Sequence, residues 1–137
     1  MKLSKTSEYS IRILSFMAKN ENDLFTAKYL IDKLKISDKY LRSLMTKLTK
    51  AGLIKSIQGK NGGYLFAKRA DEIFISNIID AVDDYGKYLG CILGFDSCSD
   101  ENPCSMHKVW VETREKLLKT FDETTLSDLK QNNIYKN

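Results

Sequence analysis

A chain of 137 residues, 42% hydrophobic and 29% charged, has room for one domain with a modest core. No apolar run approaches the ~20 residues of a membrane helix. The opening "MKLSKTSEYSIRIL" lacks the apolar block and cleavage site of a signal peptide, so a cytoplasmic protein with no membrane partner is expected. The net charge of +4 hides an asymmetry. Residues 1–70 carry 15 Lys and Arg against 5 Asp and Glu, a balance of +10, and residues 71–137 carry 7 against 13, or −6. A basic front half suits a polyanion, most often nucleic acid, although a lopsided solvated surface gives the same count.

Ile11, Ile13, Leu14 and Met17 stand at helical spacing and predict a first helix over about residues 4–19, closed by "NEND". Thr26 is a favourable N-cap for a second, "AKYLIDKL", with Ala27, Leu30, Ile31 and Leu34 on one face. Ser37 caps a third, "DKYLRSLMTKLTKAG", in which Leu41, Leu44, Met45 and Leu48 face inward and Gly52 ends the helix. The tight "KIS" junction makes this pair a helix-turn-helix. "LIKSIQ" and "YLFAKR" read as strands joined by "GKNGG". The expected fold class is mainly α with a small β-hairpin: a winged helix-turn-helix over residues 1–84, followed by a long dimerisation helix.

Such a fold lays its third helix in the major groove and its hairpin tip on the backbone or minor groove. Outside the apolar stripe, the third helix offers Lys39, Tyr40, Arg42, Ser43, Thr46, Lys47 and Lys50. Arg42 and Ser43 sit early enough to reach base edges, Arg preferring guanine, while the lysines suit phosphates. Ser37, Thr26 and Lys28 stand at helix starts, whose free amides bind phosphate. Gln58, Gly59, Lys60, Asn61 and Gly62 form the wing tip, with Gly59, Gly62 and Gly63 expected to supply positive φ and room for close approach to DNA. An ordinary solvated helix face and a plain hairpin turn remain the alternatives.

"ISNIIDAVDD" predicts a short helix that links the wing to residues 85–105. There "CILGFDSCSDENPCSMH" holds all three cysteines and the single histidine, as Cys91-x6-Cys98-x5-Cys104-x2-His107. Disulfides suit neither an odd count nor a reducing compartment. Structural zinc accepts three Cys and one His but usually brings a close C-x2-C pair; an iron–sulfur cluster tolerates wider spacing. Spacing alone leaves cluster and zinc level, with free thiols behind them. Asn102 as N-cap and Pro103 as first helical residue would place Cys104 in the first turn of a helix, where the dipole favours a thiolate. That helix, within residues 103–130 together with a short C-terminal helix, carries Met106, Trp110, Thr113, Leu117 and Phe121 on one stripe. A two-fold homodimer would bury the stripe, as would packing on its own core. Residues 131–137 read as a frayed tail.

"KYLRSLMTKLTKAGLIKSIQGKNGGYLFAK", with "MKLSKTSEYSIRIL" before it and "ISNIIDAVD" after it, resembles the Rrf-type winged-helix transcriptional regulators, the IscR/NsrR-like iron–sulfur cluster-binding group. The resemblance covers nearly the whole chain. It implies a homodimer on a partly palindromic double-stranded DNA operator. It also implies an iron–sulfur cluster held by Cys91, Cys98 and Cys104, taken as 2Fe–2S before 4Fe–4S, that reports redox state, nitric oxide or iron status. His107 matches one branch's fourth ligand. Glu8 of the partner subunit matches the other's, and an i,i+4 ion pair of Glu8 with Arg12 is the plainer reading. Two departures stand out: Gln58 replaces an Arg that many relatives carry in the wing, and Arg42 stands where the iron–sulfur branch has an acidic residue.

Two other readings stay open: a cluster-free regulator of the same fold sensing through thiols or a partner protein, and a small iron–sulfur electron carrier. No enzyme and no small-molecule substrate are expected, because there is no nucleophile–base pair, no phosphate-binding glycine loop and only one histidine.

Overall fold

The computed structural model describes residues 3–130, so the expected tail at 131–137 lies outside the described residues. Three helices build the N-terminal half. α1 (Lys5–Ala18) starts at Ser4, whose hydroxyl accepts from the Ser7 N–H at 3.2 Å. α2 (Ala27–Leu34) starts at Thr26, which accepts from the Tyr29 N–H at 3.1 Å. α3 (Asp38–Lys50) starts at Ser37, which accepts from the Tyr40 N–H at 3.3 Å. Each cap satisfies an amide that the helix itself leaves orphaned. Ile13, Leu14, Met17, Leu30, Leu41, Leu44, Met45 and Leu48 meet in one buried core.

Gly52, at φ +79°, turns the chain out of α3 into the hairpin β1 (Ile54–Ile57) and β2 (Gly63–Phe66). The strands are antiparallel, with Ile54 opposite Phe66 and Ile57 opposite Gly63. The sequence had placed Gly63 in the turn, but it pairs as the first residue of β2. Of the three tip glycines, Gly59 alone has positive φ, at +104°. Gly62 and Gly63 do not take the expected positive φ; they are needed inside the chain, where a Cβ on Gly62 would lie 2.0 Å from the Ile57 carbonyl oxygen and one on Gly63 2.6 Å from that of Phe25. Phe25, just before α2, bridges Tyr64 of β2 through two backbone hydrogen bonds of 2.9 and 2.7 Å. The wing is thereby stitched to the start of α2.

α4 (Ile75–Val82) buries Ile75, Ile78, Ile79 and Val82 between α1 and α3. Asp83 ends it. One carboxylate oxygen of Asp83 accepts from Ser4 Oγ at 2.5 Å, Ser7 Oγ at 3.2 Å and Lys87 Nζ at 2.7 Å; the other accepts from the Asp84 N–H at 2.8 Å. Burial opposes ionisation there, but hydrogen bonds from Lys87, Ser4, the Asp84 N–H and Ser7 outweigh it and hold the carboxyl well below the usual carboxylate range. A 3-10 turn at Tyr85–Tyr88 follows, then turns without helix or strand up to α5 (His107–Glu123).

α5 starts four residues later than the sequence suggested. Residues 99–102 close on themselves, with the Asn102 N–H donating to the Ser99 hydroxyl and carbonyl and the Ser99 N–H donating back to the Asn102 carbonyl. Asn102 is thus spent in that turn and does not cap. The first helical bond runs from the Trp110 N–H to Met106. Cys104 therefore precedes the helix and is not in its first turn. The apolar stripe is also divided. Phe121 packs on Tyr85 and Tyr88 of its own subunit, with ring centroids 6.5 and 5.9 Å away, and Leu117 packs against the same core, while Met106 stays exposed. α6 (Leu126–Lys130) closes the fold against α1. Among the described residues no helix is long and apolar enough to cross a membrane.

Candidate nucleic-acid interface and candidate metal centre

The helix-turn-helix and wing enclose a groove of about 360 Å³, lined by Thr26 and Lys28 of α2, Arg42 of α3, and Ser56, Gln58, Gly59, Lys60 and Gly62 of the hairpin. Lys39, Arg42, Ser43, Thr46, Lys47 and Lys50 are exposed on α3, and Lys28, Lys60 and Asn61 are exposed around the groove. The groove brings together Thr26, Lys28, Arg42, Gln58, Gly59, Lys60 and Gly62, whereas Lys47 and Lys50 line a second groove with Lys68 and Asp80; three predicted contacts also differ in detail. Tyr40 is half-buried: its ring stands edge-on to Tyr9 at 5.6 Å and its hydroxyl meets Thr6 Oγ1 at 3.4 Å, so it ties α3 to α1. Thr46 turns its hydroxyl back onto the Arg42 carbonyl at 2.8 Å. Gln58 donates from its amide to Ser56 Oγ at 3.0 Å, within the wing. Sequence reasoning passed over Asp38, whose Oδ1 accepts from Arg42 Nε at 2.9 Å. The i,i+4 spacing of the two was the available signal.

Away from this groove, the three cysteines converge. Their sulfurs lie within 4.8 Å of one another, all half-buried and none in a disulfide. Cys91 Sγ and Cys104 Sγ are 3.5 Å apart. Cys98 Sγ receives the Cys104 N–H at 3.4 Å and lies 3.2 Å from His107 Nδ1. An open cavity of about 320 Å³, lined by Phe95, Ser97, Cys98, Asn102, Pro103, Cys104 and Ser105, adjoins the sulfurs. Backbone N–H groups act instead on Cys91, which was not expected to lie near a helix start. The Phe95 N–H, helped by that of Leu93 and by the neighbouring sulfurs, outweighs burial and lowers the Cys91 thiol to about 7. At Cys98 the Cys104 N–H favours the thiolate, but burial and hydrogen bonding with the other two sulfurs push the thiol up. Three free thiols this close, with a cavity beside them, fit a soft-metal group. A single tetrahedral ion with sulfurs at ~2.3 Å would hold them ~3.8 Å apart, within the spread seen, whereas thiolates on different irons of a cluster would stand further apart and need the segment to open.

His107 stands beside the sulfur triad, against Cys98, and outside the set whose donor atoms all lie together. Its Nε2 meets Asp100 Oδ1 at 2.8 Å. That bond orients the ring so that Nδ1 faces the Cys98 side. Asp100 was not foreseen. Glu8 lies apart from the triad in the same subunit and pairs with Lys5 at 3.4 Å; Arg12, its expected partner, covers the Tyr9 ring at 5.3 Å instead. The segment is moored to α5 by two long-range bonds, from Trp110 Nε1 to the Gly90 carbonyl at 2.8 Å and from Arg114 to the Leu89 carbonyl at 2.7 Å.

Comparison with known proteins agrees with this architecture. The family profile of Rrf2, described as an iron-dependent transcriptional regulator, matches residues 3–132. The HTH-type transcriptional regulator NsrR of Bacillus licheniformis is 31% identical over 134 residues, 96% of this chain and 94% of that protein. The HTH-type transcriptional regulator IscR of Klebsiella pneumoniae is 30% identical over 133 residues, 96% and 81% of the two chains. The structure of CymR, the global cysteine regulator of B. subtilis, superposes with a TM-score of 0.78 at 30% identity and covers 96% of this chain and 97% of that one. These relatives are regulators, not enzymes or electron carriers. A basic helix-turn-helix and wing matched along nearly its whole length leaves one conclusion: the chain belongs to the Rrf2 family of DNA-binding transcriptional regulators.

Proposed function

We propose that this regulator works as a homodimer on a partly palindromic operator and reports redox, nitric-oxide or iron status through an iron–sulfur cluster held by Cys91, Cys98 and Cys104. The observation that carries this reading is the convergence of three free thiols to within 4.8 Å in a segment moored to α5. His107 is the fourth ligand favoured here, since Asp100 orients its ring; Glu8 of the partner subunit is the rival. The cluster supplies a centre whose charge and integrity change with its redox partners, with 2Fe–2S preferred over 4Fe–4S. The chain's own residues do the rest. The Phe95 and Leu93 N–H groups favour the Cys91 thiolate, and Trp110 and Arg114 transmit the pose of residues 89–104 to α5. Asp83, at the end of α4 ahead of this segment, is joined to the start of α1 through Ser4 and Ser7. On DNA, Arg42 and Ser43 face base edges, Lys28, Lys39, Lys47 and Lys60 neutralise phosphates, and the amides behind Thr26 and Ser37 add to them. Gly59, Asn61 and Gly62 let the wing tip approach the backbone.

The dimer is inferred from what stays uncovered. Leu89, Ile92, Leu93, Phe95, Met106 and Val109 are exposed and all belong to the cysteine segment or the first turn of α5. A patch of this kind marks an interaction surface, here for a second copy. Cluster formation is tested on anaerobic protein expressed with ample iron and sulfide, by iron and sulfide counts, Mössbauer spectra and visible absorption. A colourless protein without metal ends the cluster reading. Operator binding by the triple Cys→Ala variant, compared with loaded wild type, tests whether the centre governs DNA. Cys91 Sγ and Cys104 Sγ at 3.5 Å favour a second reading, sensing by thiol oxidation without metal, which predicts colourless protein whose DNA affinity responds to oxidants.

A further inference from the structure

We propose that Asp38 is the positioning residue that makes Arg42 a guanine reader. The inference rests on the DNA-reading role of α3. Arg42 is exposed and, left alone, its long side chain would sample many rotamers, each lost on binding. Here its Nε, the inner nitrogen of the guanidinium, donates to Asp38 Oδ1 at 2.9 Å. The guanidinium is planar and rigid, so fixing Nε fixes the plane and leaves the two terminal amino groups as the free pair. That pair is the fork that matches O6 and N7 of guanine in the major groove. The same side chain lines the groove between Lys28, Ser56 and Lys60, where a duplex would lie. Asp38 itself is 62% exposed, next to Lys39 on a helix meant for a polyanion. A free carboxylate there repels phosphate; one already paired with Arg42 does not. The plainer account is a helix-surface pair and a favourable dipole charge, which would alter stability or all DNA affinities alike.

The experiment uses the full chain. Selection from randomised duplexes gives the preferred sequence of the wild type, and single-base variants of it are then titrated against wild type, Asp38→Ala, Arg42→Ala and the double variant. One guanine per half-site is expected to lose about tenfold of its preference in Arg42→Ala. The same position should lose several-fold in Asp38→Ala, with the other positions and the salt dependence unchanged. In the Arg42→Ala background, removing Asp38 should do nothing more. Asp38→Asn keeps an oxygen for Nε and should restore most of the preference, which also serves if Asp38→Ala folds poorly. Arg42→Lys should keep the charge and lose the guanine. The proposal is overturned if Asp38→Ala weakens all sequences equally, if its effect persists without Arg42, or if Arg42→Ala keeps the base preference. A wild type that binds no duplex would overturn it together with the role of α3, whereas base preferences that survive Arg42→Ala would overturn it alone.

Discussion

Replacing Asp83 by Ala removes the acceptor shared by Ser4, Ser7, Lys87 and the Asp84 amide. Ser7 is buried, so its hydroxyl loses a charged partner where water does not reach it. A hydrogen bond to a charged group contributes about 1.5–3 kcal/mol, whereas the Lys87 pair, 40% exposed on the lysine, adds under about 1 kcal/mol. The expected loss is about 3 kcal/mol, or about 10 °C in Tm for a chain of this size. The pH dependence is the sharper test. Asp83 titrates lower in the folded chain than in the unfolded one, so the folded state binds fewer protons. Its contribution is therefore complete above the unfolded value of about 3.9 and fades as pH falls toward the lower folded value. Urea melts of wild type and Asp83→Ala, followed by circular dichroism from pH 7 to pH 2, should show a gap that is constant to about pH 4.5 and closes below it. A gap under about 0.5 kcal/mol at pH 7, or one that stays the same at pH 2, would refute the assignment.

Ser37→Ala should cost about 1 kcal/mol in chemical denaturation, because the Tyr40 amide loses its cap. Trp110→Phe keeps an aromatic side chain but loses the bond to the Gly90 carbonyl; a loss of about 1 kcal/mol in chemical denaturation is expected, and unchanged stability would argue against the mooring. Gly63→Ala drives a Cβ into the Phe25 carbonyl at 2.6 Å, so the wing must shift, with about 1–3 kcal/mol lost and weaker DNA binding in a gel-shift assay. Asp100→Asn should leave three-thiol loading intact but alter the spectrum of the loaded centre if His107 is a ligand, through the changed partner of Nε2.

The helix-turn-helix was legible because its signals are local. Thr26 and Ser37 are caps by residue type, and Leu41, Leu44, Met45 and Leu48 mark one face of α3 by spacing. That the cysteines meet could be anticipated from their placement within residues 91–104 together with the family resemblance. The start of α5 could not. Asn102–Pro103 is a sound opening by type, but Ser99 claims Asn102 for a turn, a competition between side chain and backbone that type does not decide. Nor could the stripe from Met106 to Phe121 be divided in advance, since the aromatic pair that buries Phe121 comes from Tyr85 and Tyr88, more than thirty residues away. Glu8 had two basic neighbours within one turn, and only rotamers choose between Lys5 and Arg12.

The bridge between Phe25 and Tyr64 sets a mechanical limit. Because hairpin and second helix share backbone bonds, they act as one rigid jaw facing α3, and the gap between them has a fixed gauge. A duplex that departs from that gauge must itself deform to fit. Sequence-dependent flexibility of the DNA then joins direct contact as a source of discrimination.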